Sequence, residues 1–424
     1  MTLLDELAEH LAGLDSRAFS ADDRSALDIH VVDTAAALLT GSATPDGSAA
    51  LAFTGRGTGG ALDAVAAQVA ATRSTEVDDI HLSSGTTPGA IVVPTALGLS
   101  GHLNITDTTL TYSAIAAGYE AMTRLGAAIR GQAIGYRGVW ATYFCAPFAT
   151  AAVTARLLGL DVRATGHALA IALPMSAGRA GPTLGGRTAR WLLAGDAARM
   201  GCKAAFAAAD GYTGDTALLD GGWLANAHGI DTRSDAILDG LGQGSVLPRV
   251  SIKPYCGARQ VLGAVCAFEE ILARGVDPKR IKAVRIIVPT DFARMIDHGA
   301  EPGNRLSSIT SAAYQLALAA FHHDGLFDVA RDSIHTGDDM AAFMAKVSVT
   351  ADEELDQHLP EHWPAGVEVK VGRRSETTLM LDSPGDPSRP YTFDQVGQKF
   401  HALADRLVGA DKVDAWVRNL DLSR

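Results

Sequence analysis

Two short runs concentrate the side chains best suited to chemistry. In "RVSIKPYCGARQ", residues 249–260, Lys253, Tyr255, Cys256, Arg259 and Gln260 crowd together. A lysine and an arginine placed so can hold carboxylates, the arginine through a two-pronged fork. The same residues could instead form a loop with a buried tyrosine and an inert cysteine. In "EVDDIHLSSGTTPGAIVVPTAL", residues 76–97, Asp78, Asp79 and His81 precede a small polar turn and a long apolar run. That order fits either one wall of an active site or an acidic helix end followed by a loop and a core helix.

Other patterns carry less. "GRGTGG" places Gly55, Gly57 and Gly60 at dinucleotide-fingerprint spacing, but the preceding "SAALAFTG" is short and alanine-rich, and no parallel-strand series follows. The sequence has neither GxxxxGK[ST] nor GxSxG. Cys145, Cys202, Cys256 and Cys266 show no disulfide framework and no zinc-ligand spacing. Asp78, Asp79 and His81 are not completed into a metal-ligand set by their neighbours. Arg187, Arg190 and Arg199, near a glycine-rich turn, could recognise an anion or form a solvated face. Tyr314, with Ser311 at the head of "SITSAAYQLALAA", has the setting of a core tyrosine.

The elements that must position these groups are legible. Up to about residue 245, runs such as "ALDIHVVDTAAALLTG", "ALDAVAAQVAATR", "APFATAAVTARLLGL" and "LLAGDAARMGCKAAFAAADG" repeat small apolar residues at helical spacing. Gly41 closes the first of them as a C-cap would. Beyond that, "AVRIIVP", "AKVSVTAD" and "GVEVKVGRRSETTLML" read as strands, interleaved with the helical "VLGAVCAFEEILARG" and "TSAAYQLALAAFHHD". "FDQVGQKFHALADRLVG" is helical again. The chain is therefore expected to be mostly α: a large all-helical domain over 1–247, an inserted smaller α+β lid domain over 248–392, and a C-terminal return to the helical domain over 393–424.

Composition bounds the function. The 424 residues are 47% hydrophobic and 20% charged, with a net charge of -12. Nucleic acid is a poor partner for so acidic a chain, whereas a few arginines suffice for a small anion. The first residues, "MTLLDELAEHLAGLD", are acidic and amphipathic, unlike a signal peptide, and no uncharged apolar run reaches membrane-spanning length. A cytoplasmic protein is expected.

Taken in order, these runs resemble the MmgE/PrpD family, which includes 2-methylcitrate dehydratase, cis-aconitate decarboxylase and iminodisuccinate epimerase. The likeness runs almost end to end. "HVVDTAAALLTGS", "VDDIHLSSGTTPGAIVVPTALGLS", "GYEAMTRLGAAI", "PFATAAVTARLLGLD", "GDAARMGCKAAFAAADGYTG", "SIKPYCGARQ" and "GDPSRPYTFDQVGQKFHALAD" follow the family's order. The resemblance implies a helical domain with an α+β lid, a cleft between them, a homodimer, and chemistry without metal or organic cofactor. The shared step it implies is removal of a proton next to a carboxylate.

The departures from the family pattern are specific. Thr87 stands where many members have histidine before Pro-Gly, and "GVW", ending at Trp140, replaces "GFH" or "GWH". Arg190 replaces a lysine, and Ala258 and Leu262 replace cysteine or histidine. The resemblance retains Asp78, Asp79, Lys253 and Tyr314, with His81 as a neighbour. With the usual imidazoles missing, the proton carrier falls to His81, to Tyr143, Tyr255 or Tyr314, to a lysine, or to Cys256. Lys253 or Arg190 would stabilise an enolate-like charge, while Thr86 and Thr87 offer hydroxyls. The expected activity is a lyase of dehydratase or decarboxylase type. The missing histidines favour an epimerase or double-bond isomerase as the alternative, and a non-catalytic binding homologue is a third reading.

Overall fold

The computed structural model describes residues 1–54, 59–178, 188–300, 304–331 and 337–420. Its first half is a layered body of alanine-rich helices. The helices that build the site's floor are α1 (Ala21–Gly41), α2 (Ala61–Ser74), α3 (Gly89–His102), α4 (Thr108–Ala128), α5 (Ala141–Leu157) and α6 (Ala189–Ala209). Helix α5 is central and packs against α3, α4 and α6, while α6 also packs on α2. Its residues are buried nearly all round, as a helix enclosed by other helices requires.

Small residues set how closely these helices approach. A Cβ built on Gly201 of α6 would lie 2.0 Å from the Pro147 carbonyl oxygen of α5, and one on Gly195 would lie 2.2 Å from the Ala66 oxygen of α2. The Thr150 hydroxyl of α5 donates to Ala198 O of α6 across 2.8 Å, so the contact is polar as well as close. Gly41 has the same function rather than that of a left-handed cap. The helix runs through it, its φ is not positive, and its Cβ position is filled by Ala71 O at 2.5 Å.

The strands lie where β-branched alternation places them. After α7 (Arg259–Ala273) come β1 (Ile281–Val288), α8 (Ala312–Phe321), β2 (Val347–Ala351), β3 (Ala365–Val371) and β4 (Arg374–Met380). The sheet order is β2-β1-β3-β4, with β1–β2 parallel and the other pairs antiparallel. "GVEVKVGRRSETTLML" thus splits into a hairpin at Gly372, whose φ of +63° suits a tight turn. Helix α7 covers β3 and β4, and its Val265 and Phe268 share a core with Ile286 and Val367. The last long helix, α9 (Phe393–Val408), returns to the helical body. Its Val396, Phe400 and Leu403 pack with Val32, Ala35 and Ala36 of α1. The molecule is a large helical domain carrying a smaller α+β lid.

Because the oxygen facing Gly201 belongs to the backbone, a methyl group there forces α5 and α6 apart. Gly201→Ala is expected to cost about 1–3 kcal/mol, read as a lower melting temperature. An unchanged melting curve would mean that the α5–α6 contact tolerates separation.

Candidate active site

Helix α2 ends at Ser74, and Glu76 immediately takes a positive φ of 56°, unusual for a residue with a side chain. This turn brings the chain back beneath the helix end. Arg73 Nη1 then reaches Glu76 Oε2 at 2.9 Å and Asp78 Oδ1 at 3.2 Å. Lys253, arriving from the far side of the sequence, donates to Glu76 O at 3.2 Å and lies 3.4 Å from Asp78 Oδ1. The segment is held in place by backbone pairing of Ile80 with Ser251. All four side chains of this cluster are buried. Burial alone would raise the Glu76 carboxyl, but the Arg73 and Lys253 charges outweigh it and bring it down to about 2. Burial dominates at Asp78 and raises its carboxyl despite the same two cations.

The cluster floors a cleft of about 760 Å³. From the helical body, Arg73, Glu76, Thr87, Gln132, Tyr136, Trp140, Thr142 and Arg190 line it. Lys253, Ala258, Arg259, Gln260, Met295, Thr310 and Trp363 line it from the other side. The Arg190 guanidinium lies over the rings of Trp140 and Trp191, at 5.1 and 5.3 Å, and Arg73 lies 5.3 Å from Trp191. These are cation–π distances that hold both arginines in place. Arg259 pairs with the buried Asp386 at 2.5 Å, and Gln260 donates to the Tyr136 hydroxyl at 3.4 Å. Thr87 N donates to Thr142 Oγ1 at 3.0 Å. Among the described residues no histidine lines this cleft.

Of the residues singled out in the sequence, Lys253, Arg190, Ala258, Arg259, Gln260, Thr87 and Trp140 therefore come together, with Asp78 in the cluster beneath them. The others lie elsewhere. Asp79 faces away from the cleft: its carboxylate accepts from Gly89 N at the start of α3 and from Tyr119 Oη, at 2.8 and 2.6 Å, and lies 3.0 Å from His30 Nδ1. It serves a helix N-terminus and a buried network, as a carboxylate there should. His81 opens onto a different cavity shared with Arg249, with Nδ1 3.0 Å from Ser84 Oγ. Burial, reinforced by Arg249, lowers its imidazole to about 4. Thr86 is fully buried, its hydroxyl 2.6 Å from Ser84 Oγ.

Tyr255 turns outward, donating to Glu269 at 2.9 Å beside His323, and burial raises its phenol. Cys256 donates to Thr75 O, and burial raises its thiol. Tyr314 sits in the lid's apolar core. Tyr143 lies behind Trp140, fully enclosed, its phenol pushed up by burial to about 12. Arg187 lies outside the described residues, and Arg199 pairs with Asp63 and Asp196 at the periphery.

Sequence reasoning overlooked Arg73, Tyr136, Thr142, Thr310, Trp363 and Asp386. Arg73 had a signal, standing three residues before Glu76 and five before Asp78 at a helix end. Asp386 lies in the "GDPSRP" run. For Tyr136 and Trp363 no local pattern exists.

A helical body with an α+β lid over a cationic, aromatic-walled cleft is the framework of a small-molecule enzyme. Comparison with known families identifies which one. The MmgE/PrpD N-terminal domain matches residues 5–233 and the MmgE/PrpD C-terminal domain residues 255–422, so this chain belongs to the MmgE/PrpD family. It is an enzyme of that family's lyase/isomerase type. Among characterised relatives, the cis-aconitate decarboxylase-like protein oryM of Aspergillus oryzae is 24% identical over 368 residues, covering 80% of this chain and 75% of its own. The cis-aconitate decarboxylase of Aspergillus terreus is 27% identical over 368 residues, covering 80% and 74%. Among the described residues no group of three or more His, Cys, Asp or Glu side chains is arranged to hold a metal ion, and no helix is long and apolar enough to cross a membrane.

The placement of His81 yields two expectations. His81→Asn should turn over substrate normally, since the imidazole faces another cavity. It should also remove an acid-labile element. Between pH 6.5 and about 4 the unfolded state takes up a proton that folded His81 refuses, so wild-type stability falls as pH drops through that window. Melting curves at pH 7.5 and 5 should show the wild type losing more than the variant; equal losses would show that His81 is protonated in the folded protein.

Proposed function

We propose that this enzyme binds a small substrate with at least one carboxylate in the Lys253–Arg190 cleft and moves a proton at the adjacent carbon. The charge of the cleft carries the reading. Arg73, Arg190, Lys253 and Arg259 line it, while Glu76 is its lining acid. Counting Asp78 and Asp386 behind the wall, the described residues of the site comprise four cations and three carboxylates. Asp78, raised by burial, adds to the imbalance whenever it is protonated. In a chain of net charge -12, a locally positive hollow is a selective site for an anion.

The chemistry follows from the same residues. The flat guanidinium of Arg190, set against two indoles, is suited to grip a carboxylate through paired hydrogen bonds. Lys253 supplies an ammonium where an enolate oxygen would develop, and its anchoring to Glu76 and Asp78 means that no reorganisation is needed as that charge forms. Trp140, Tyr136 and Trp363 provide an apolar wall that strengthens both interactions. The enzyme works in the cytoplasm as a homodimer, without metal or organic cofactor. Decarboxylation of a cis-aconitate-like acid is the first reading, from the relatives' activity. Isomerisation or epimerisation is the second, favoured because no imidazole is among the described residues that line the cleft, whereas expulsion of hydroxide demands a strong general acid.

Proton NMR in D2O, on protein dialysed against a chelator, separates these readings with cis-aconitate, 2-methylcitrate and amino diacids as the panel. Loss of CO2 or water is expected for a lyase, and deuterium entering an unchanged skeleton for an isomerase. No change with any carboxylate would overturn the proposal. Lys253→Met should lower turnover by about 10²–10⁴-fold, with the fold retained because Asp78 can take up a proton in place of the lost ammonium. Circular dichroism checks the fold, and wild-type-like rates in a folded variant would remove Lys253 from the mechanism.

A further inference from the structure

An imidazole stands one hydrogen bond behind the cleft wall. Thr310, the last residue of the short helix Arg305–Thr310, lines the cleft and is 7% exposed. Its Oγ1 lies 3.0 Å from Nε2 of His298, and Nδ1 of His298 lies 2.8 Å from Gly299 O. A carbonyl oxygen can only accept, so Nδ1 carries the ring hydrogen and the neutral ring presents Nε2 as an acceptor. The Thr310 hydroxyl therefore donates to Nε2. The segment is pinned in this pose: Ser311 Oγ donates to His298 O at 2.7 Å, and His298 N pairs with Ile296 O at 3.0 Å.

From this geometry we propose that Thr310 is the hydroxyl that exchanges a proton with substrate and that His298 is its positioning residue and proton store. The inference rests on the proton-transfer function proposed above. In the forward step, where the substrate isomerises or exchanges, its C–H bond breaks and the electron pair remains on carbon as an enolate beside Lys253. The departing proton passes to Thr310 Oγ1 as the Thr310 hydrogen passes to Nε2. The products are the enolate and an imidazolium, so charge is conserved. In the return step the imidazolium gives its Nε2 proton to Thr310 Oγ1 while the Thr310 hydrogen goes to carbon. Where the substrate loses CO2, the C–C bond breaks instead and, starting from the imidazolium, this return step supplies the proton to carbon.

Two further contacts suit a relay. Thr310 Oγ1 is also 3.2 Å from Leu306 O and 3.4 Å from Ser307 O, alternative acceptors for its hydrogen when the ring is protonated and Nε2 itself donates. A nucleophile or acid backed by a base, with that base oriented by a third group, is the general arrangement for activating a hydroxyl. Here the third group is Gly299 O. The arrangement also supplies an imidazole to a cleft whose described lining residues include none.

The test has two independent readouts. Nitrogen-15 NMR of histidine-labelled protein, with His298 assigned from His298→Gln, should show a protonated Nδ1 and an accepting Nε2. Thr310→Val should move the Nε2 resonance, whereas Thr310→Ser should leave it in place. In D2O with cis-aconitate as the probe, Thr310→Val should lower kcat by about 10²-fold or more with KM unchanged, Thr310→Ser should retain turnover, and added imidazole should restore part of the loss in His298→Ala. A purely structural contact would lower the melting temperature of both variants with no change in kcat and no imidazole rescue. That result overturns the relay, as does a proton found on Nε2 or an Nε2 resonance indifferent to Thr310→Val. If wild-type protein neither converts any acid of the panel above nor exchanges its protons, the proposed function fails instead. The relay is then decided by whether cis-aconitate moves the Nε2 resonance in wild type and not in Thr310→Val.

Discussion

The site depends on one condition: the buried charges of Arg73, Glu76, Asp78 and Lys253 must offset one another, with a proton on Asp78 as the available substitute for a lost cation. Each charge would be costly to bury alone, and removing one member of such a set leaves another uncompensated. Here the cost is met by short contacts that join the end of α2, the following turn and the chain entering the α+β lid. Geometry and charge are therefore fixed together. Lys253 cannot drift from the cleft floor without stranding two carboxylates, and Glu76 cannot relax its positive φ without losing Arg73.

A second buried network supports the first from beneath. Residues 77–80 are not helical: the chain bends at Asp78 and bridges to Ser251 at Ile80, and the two adjacent acids diverge. Asp78 faces the charged cluster while Asp79 faces the start of α3, Tyr119 and His30. One turn along α1 from His30, Asp33 receives Lys399 of α9 at 2.6 Å, and the same ammonium donates to Val77 O. The segment carrying Asp78 is thus held by α1, α3, α4 and the C-terminal helix together. The adjacent acids look alike in the sequence but divide between the charged cluster beneath the cleft and the start of α3.

Where chemistry followed local pattern, it was readable. The 3.6-residue repeat of alanine and leucine marked α1 to α6, alternation of Val and Ile marked β1 to β4, and the lysine–arginine run from 249 to 260 marked one wall of the cleft. What failed were inferences about which way a side chain points. Tyr255 and Cys256 stand two and three residues after Lys253 yet leave the cleft, because the chain bends from Pro254 to Gly257. Arg73 and Lys253, 180 positions apart, meet only through the fold, and so do Tyr136 and Gln260. Gly41 shows the same limit: the sequence marks a helix end, but only the packing shows that the missing side chain makes room for a neighbouring backbone.

Arg190 lies against two indole faces. A lysine in that place would be a swivelling point charge, accepting a carboxylate from many directions. A guanidinium confined by ring faces offers its paired donors only within its own plane. A carboxylate held there would have to enter that plane, which would fix the torsion angle between it and the carbon that bears it. That angle governs how far a breaking C–H bond overlaps the carboxylate π-system. An arginine held this way would discriminate among acids by their conformation, which a lysine at the same place would not.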